Sequence, residues 1–157
     1  MRMTASQAKK NGLTTFNPKP YPHKQTFRFP WPPSVNGLYV TNMKTGRRHL
    51  SERAKKFLAV VQDHLIEFGA KPYYDSRIGV RVECHEPGNS RRTRDIQNLE
   101  KITSDAMAKG GLFDDDGQID DIRFIRREPS DIHEGYIDVE VWPITEGETS
   151  ENKLGSD

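Results

Sequence analysis

A single cysteine, Cys84, occurs in 157 residues. That excludes an internal disulfide framework and a cysteine-built zinc site, and it suits a reducing cytoplasm. Long apolar runs are missing too. No stretch approaches the roughly 20 residues that a membrane-spanning helix needs, and the N-terminus has no signal-peptide apolar core. Charge of one sign is not in excess. The formal net charge is +1, so no global field argues for a polyanionic partner. The five histidines lack metal-ligand spacing. Only His85 lies near the chemistry argued below.

The length suits one domain with a real core. Hydrophobic residues make up 33% and charged residues 30%, a polar balance that the ends partly explain. Residues 1–25 mix Lys, Asn, Thr and Pro without apolar periodicity, and 145–157 are similarly polar. Both read as flexible tails around a domain spanning 26–144. The distribution of charge says more than its sum. Basic residues cluster at Lys44, Arg47 and Arg48, at Arg53, Lys55 and Lys56, at Arg91, Arg92 and Arg94, and at Arg123, Arg126 and Arg127. Acidic residues concentrate between 114 and 121. Basic banks around an acidic centre and ordinary solvated charges are both compatible with that pattern.

Phe27 to Phe29 read as a short strand, stopped by Pro30, Pro32 and Pro33, because proline donates no ladder hydrogen bond. The run 39–50 reads as a hairpin turning at Lys44-Thr45-Gly46. Ser51 is an N-cap for a helix to about Phe68, with Ala54, Phe57, Leu58, Val61, Leu65 and Ile66 giving an apolar stripe and Gly69 ending it. Ile78, Val80, Val82 and Cys84 alternate along a half-buried strand. Asp95 is placed to cap a second helix running to about Lys109, stopped by Gly110-Gly111. Residues 119–127 and 135–142 read as two further strands. The expectation is an α+β domain, a small mixed β-sheet with two main helices packed on it. Phe27, Phe29, Trp31, Tyr39, Phe57 and Trp142 are assigned to the core or a dimer interface.

On the second helix Leu99, Ile102 and Ala106 share one face, and Asn98, Lys101 and Asp105 form an adjacent polar stripe. The double glycine turns the chain back, so carboxylates near 95 and near 116 can approach. Two carboxylates about 4 Å apart repel by about 4 kcal/mol at an effective dielectric near 20. Such a group persists if it shares protons or binds a cation. Oxygen ligands alone suit Mg²⁺ or Mn²⁺, and Lys101 is placed to hold a phosphate beside it. An EF-hand fails. With Gly117 at loop position six, Leu112 and Arg123 fall where acidic ligands belong. A solvated acidic turn remains the alternative.

Three stretches then carry a resemblance: "PPSVN" at 32–36, "RDIQNLEK" at 94–101 with Asp105 beyond it, and "DDGQI" at 115–119. Over about 27–142 the chain resembles the RusA family of Holliday junction resolvases. That family's pattern is PPSxN, then R-x-D-x-D-N-x-x-K, then D-D-x-Q-I. The resemblance implies a Mg²⁺-dependent endonuclease, with Mn²⁺ possible, acting as a homodimer that resolves four-way DNA junctions by paired nicks. It implies metal ligation by Asp95 and Asp116, with Asp115 as acidic neighbour, and a Lys101 needed for cleavage. DNA contacts are then expected from Arg91, Arg92, Arg94, Lys55, Lys56, Arg126 and Arg127. One departure from the pattern matters, because Gln97 stands where the second aspartate of D-x-D-N is expected. Its amide can ligate a metal but brings no charge. A reduced ligand set, a junction-binding protein that cuts weakly or not at all, and a residue changed to arrest the enzyme are the alternatives.

Overall fold

The computed structural model describes residues 19–88, 95–131 and 134–145. Its elements in chain order are β1 (Gln25–Pro30), β2 (Tyr39–Thr41), β3 (Arg48–Leu50), α1 (Glu52–Glu67), β4 (Ile78–His85), α2 (Glu100–Lys109), β5 (Ile119–Arg126) and β6 (Tyr136–Pro143). Four strands form one sheet in the order β1-β6-β4-β5. β6 runs antiparallel to both β1 and β4, whereas β4 and β5 are parallel. The parallel pair needs a crossover, and α2 lies within it. The result is an α+β fold with a mixed sheet and two helices.

Alternation decides which way each strand faces. Phe27 and Phe29, Val80 and Val82, and Ile137, Val139 and Val141 are buried. Between them, Arg28 pairs with Asp138 at 2.7 Å and Lys24 with Glu140 at 2.8 Å. One sheet face is therefore core, and ion pairs lace the other. Ala54, Phe57, Val61 and Leu65 of α1 and Ile102 and Ala106 of α2 complete the core. Gly79 is a seat for an indole: a Cβ there would lie 2.3 Å from the ring of Trp142. Tyr73 closes one end of the sheet, donating its hydroxyl to the carbonyls of His23 and Val141 at 2.7 and 3.0 Å. Burial pushes that phenol up to about 12.

Ser51 does cap α1, accepting from Ala54 N at 3.2 Å. Its hydroxyl also donates to the Gly37 carbonyl at 2.6 Å, and its backbone N–H to Leu38 at 2.8 Å. The cap thereby fixes the base of the β2–β3 hairpin to the helix.

Three expectations need correction. Ile66 is 61% exposed. It follows Leu65 by one residue, about 100° further round the helix and past the edge of the buried stripe. Tyr39 is not core, because both strands of its hairpin stand largely in solvent, which removes the first half of its assignment to core or dimer interface. Asp95 caps a 3₁₀ turn, Ile96–Leu99, and α2 begins only at Glu100.

Candidate active site

The loop between α2 and β5 is anchored before it turns acidic. Leu112 and Phe113 are buried, and Tyr73 N–H donates to the Leu112 carbonyl at 2.8 Å. Gln118 then fixes the turn. Its amide oxygen accepts from the backbone N–H groups of Asp114 and Asp115 at 2.8 and 2.9 Å. Its amide nitrogen donates to the carbonyls of Tyr74 and Ser76 at 2.6 and 2.8 Å. This buried side chain uses all four of its hydrogen-bonding positions. Arg77 adds a second tie, donating to the Gly117 carbonyl at 2.9 Å and to Asp120 at 3.0 Å.

The aspartates of the turn consequently differ in their partners. Asp115 caps the 3₁₀ turn Asp116–Gln118, accepting from Gly117 N at 3.3 Å, and Gln118 completes the capping box. Asp120 belongs to Arg77 and Asp121 to Arg123, the latter at 3.4 Å. Asp116 alone turns to α2, where Lys101 Nζ lies 3.3 Å from its Oδ2 and 3.2 Å from Asp105. The hydrogen bond shared with the Asp115 carboxyl, and then Lys101, hold Asp116 below the usual carboxylate range. Lys101 is raised, by Asp105 first and Asp116 second.

The signs fix what these groups can do. A depressed Asp116 contributes stability above its unfolded pKa and loses it as pH falls through the folded value. A raised Lys101 contributes below its unfolded pKa and loses it as pH rises through the folded value. Across the neutral range Asp116 is therefore an anion and Lys101 a cation. Lys101 is suited to hold negative charge and unsuited to accept a proton. Both side chains are substantially exposed, so the pair adds little to stability, about 0–1 kcal/mol.

Gln97, Glu100, Lys101, Ser104, Asp116, Ile119 and Ile122 line one shallow cleft of about 320 Å³. Sequence-predicted Gln97, Lys101 and Asp116 are thus brought together. Asp95 stands just before the same end of α2 but outside the cleft lining, with its carboxylate accepting from Gln97 N at 3.0 Å. Arg91, Arg92 and Arg94 lie outside the described residues. Lys55 and Lys56 are exposed on α1, away from the cleft lining. Arg126 meets Glu86 at 3.1 Å and Arg127 meets Glu83 at 3.3 Å.

The donors suit a hard cation in part. Asp116 is ionised, Asp115 adjoins it, and Gln97 adds an amide side chain to the same cleft lining. Among the described residues, no three acidic, histidine or cysteine side chains gather closely enough to chelate an ion. Mg²⁺ tolerates such sparseness, since it keeps several waters and takes one or two carboxylates plus phosphate oxygens.

Gln118 and Arg77 escaped sequence reasoning as contributors to the site. The motif contained Gln118, and its bonds to Asp114 and Asp115 are local, but the carbonyls of Tyr74 and Ser76 that it also holds lie more than 40 residues away. Replacing it tests its weight. Gln118→Leu keeps the bulk but withdraws every amide contact to the turn, and urea unfolding should show a loss of about 3 kcal/mol.

Comparison with known proteins gives a consistent result. Residues 30–141 match the family model described as endodeoxyribonuclease RusA. The crossover junction endodeoxyribonucleases RusA of Enterobacteria phage 82, Shigella sonnei and Escherichia coli K12 are each 35% identical to this chain over 102 residues. The match covers 62% of this chain and 78% of each relative.

Proposed function

Because the chain belongs to the RusA endodeoxyribonuclease family, we propose that it is a divalent-metal-dependent endonuclease that resolves four-way DNA junctions by paired nicks. The observation that carries this reading is the meeting of Lys101 and Asp116 across the α2–β5 loop, 3.3 Å apart and both charged at neutral pH. Asp116 and Asp115, with Asp95 and the Gln97 amide nearby, would hold Mg²⁺ or Mn²⁺. When bound, such an ion supplies Lewis-acid polarisation of a phosphate and a more acidic water.

The protein's own groups supply the rest. Asp105 and Asp116 restrain Lys101 and keep it protonated, so that its ammonium offers donors to a phosphate oxygen. Charge developing on that oxygen is stabilised by a cation already in place, and no reorganisation is needed at the moment of reaction. Gln118 and Arg77 fix the turn that aims Asp116. A homodimer would set two such sites about a two-fold axis, matching the symmetry of a four-way junction and allowing one cut per strand.

Gln97 favours a second reading, junction binding with weak or absent cutting. It lines the same cleft as Asp116 yet contributes no charge. Labelled synthetic four-way junctions incubated with Mg²⁺ or Mn²⁺ separate the two. Paired symmetric nicks by the unaltered protein are expected. Gln97→Asp should raise the cutting rate at limiting metal about tenfold, because it adds an anionic ligand beside Asp116. Tight binding without nicks under any metal or pH, with cutting appearing only in Gln97→Asp, would establish the binding reading.

A further inference from the structure

The β2–β3 hairpin, Tyr39 to Leu50, stands apart from the rest of the molecule in charge and in packing. Its sequence holds Lys44, Arg47, Arg48 and His49 and no acidic residue. Among the described residues none of Lys44, Arg47 and Arg48 has a carboxylate partner within ion-pair distance. Lys55, by comparison, is tied to Glu52, Arg126 to Glu86 and Arg127 to Glu83, while Arg53, Lys56, Lys71 and Lys109 are scattered cations that form no ion pair among the described residues. Apart from Leu50 at its base, which packs on the core, the hairpin stands in solvent. Tyr39 and Val40, neighbours that point to opposite sides, are 45% and 46% exposed, and Met43 at the tip is 93% exposed.

An isolated two-stranded ribbon is marginal in water, yet this one is preformed at both ends. At its tip the Asn42 side chain accepts from Lys44 N and Thr45 N at 2.9 and 3.3 Å, and Gly46 takes the positive φ that the turn requires. At its base Ser51 bonds both Gly37 and Leu38. The 3₁₀ turn Val35–Gly37 that starts the hairpin packs against the turn Ile96–Leu99, which carries Gln97 into the cleft. A rigid basic ribbon therefore projects from the immediate border of the site.

We infer that this hairpin is a DNA-binding arm that lies along the phosphate backbone of a duplex arm flanking the cut. The inference rests on the endonuclease reading above. Charge complementarity selects the occupant. A polyanion supplies the anions that Lys44, Arg47 and Arg48 lack among the described residues, Arg48 meeting the Tyr39 ring at 5.0 Å, and a two-stranded ribbon has the dimensions to enter a DNA groove. A second copy of this chain fits poorly, because the aspartates of its acidic turn already meet Gly117, Lys101, Arg77 and Arg123. Phosphate contacts carry no sequence information, so the arm contributes affinity and orientation without base preference.

The test is fluorescence anisotropy of a labelled four-way junction, without divalent cation and across a salt series. It compares the full chain, the triple variant Lys44→Ala/Arg47→Ala/Arg48→Ala, and a control of equal charge loss, Lys24→Ala/Lys71→Ala/Lys109→Ala. The arm variant should flatten the plot of log affinity against log salt by about 2 to 3 and weaken binding roughly 10- to 100-fold, leaving the control near the unaltered protein. Each single arm variant should flatten it by about 1. Equal effects in arm and control variants would reduce the arm to general charge and overturn the inference. So would unchanged binding by the arm variant, including the case where it sediments as a monomer and the unaltered protein as a dimer. If the unaltered protein binds no junction, the endonuclease reading itself falls, a result distinct from these.

Discussion

Asp116→Asn should reduce junction cleavage roughly a thousandfold, about 4 kcal/mol of transition-state stabilisation. The substitution keeps shape and hydrogen-bonding reach, and it removes one negative charge from the only acidic side chain of the turn that faces Lys101. Two consequences follow together. The site loses its ionised oxygen donor, and Lys101 loses one of the two carboxylates that restrain it, the other being Asp105. Because Asp116 is 42% exposed on its side chain, the fold should hardly notice, and thermal unfolding should move by no more than about 2 °C. Junction affinity without metal should hold or rise slightly, since an anion has been removed near a polyanion. Single-turnover kinetics on a labelled junction read the chemical step directly. Cutting within a few-fold of the unaltered protein would remove Asp116 from the chemistry and leave the Lys101 pair as surface decoration.

Gly135→Ala should be the most damaging small substitution in the fold. Gly135 precedes β6 with φ +69°, a backbone conformation that costs a residue with a Cβ about 1 kcal/mol. The larger difficulty is space. A Cβ would lie 2.7 Å from the Pro87 nitrogen and 2.8 Å from the His85 carbonyl oxygen. Both obstacles are backbone atoms at the end of β4, and neither can step aside without disturbing the β4–β6 ladder. A loss of about 3 kcal/mol or more is expected, equivalent to a fall in melting temperature of about 10 °C for a domain of this size. Gly69→Ala is the internal reference, because it shares the positive φ (+66°) but has nothing within 4 Å of the added carbon. It should cost only the conformational part, about 1 kcal/mol. Equal losses at the two positions would mean that the crowding at Gly135 relaxes at no cost.

The elements of this fold were readable because their signals are local. Alternation in 78–84 and 137–141, and the stripe Ala54, Phe57, Val61 and Leu65, need only a period to be seen. Asp95 was legible as a cap, but four residues cannot tell a 3₁₀ turn from the start of an α-helix. The site was legible in its members and opaque in its support. Lys101 and Asp116 stood out as part of a motif pattern, whereas Arg77, and the half of Gln118's hydrogen bonds that reach Tyr74 and Ser76, act through partners about 40 residues distant. Tyr39 falls outside the core for a related reason. An aromatic residue in a strand signals packing, but whether a hairpin lies on the body or leaves it depends on contacts made elsewhere, here by Ser51.

The strand order has an implication for how the polypeptide is born. β6 lies between β1 and β4, so the middle of the sheet is laid down by the final strand to leave the ribosome. Until residues 136–143 emerge, the earliest strand has no neighbour to zip against, and the nascent chain must wait with its apolar ridges uncovered. Any arrest of translation before that point yields a fragment without the central plank, and chaperones or proteases should be its usual fate.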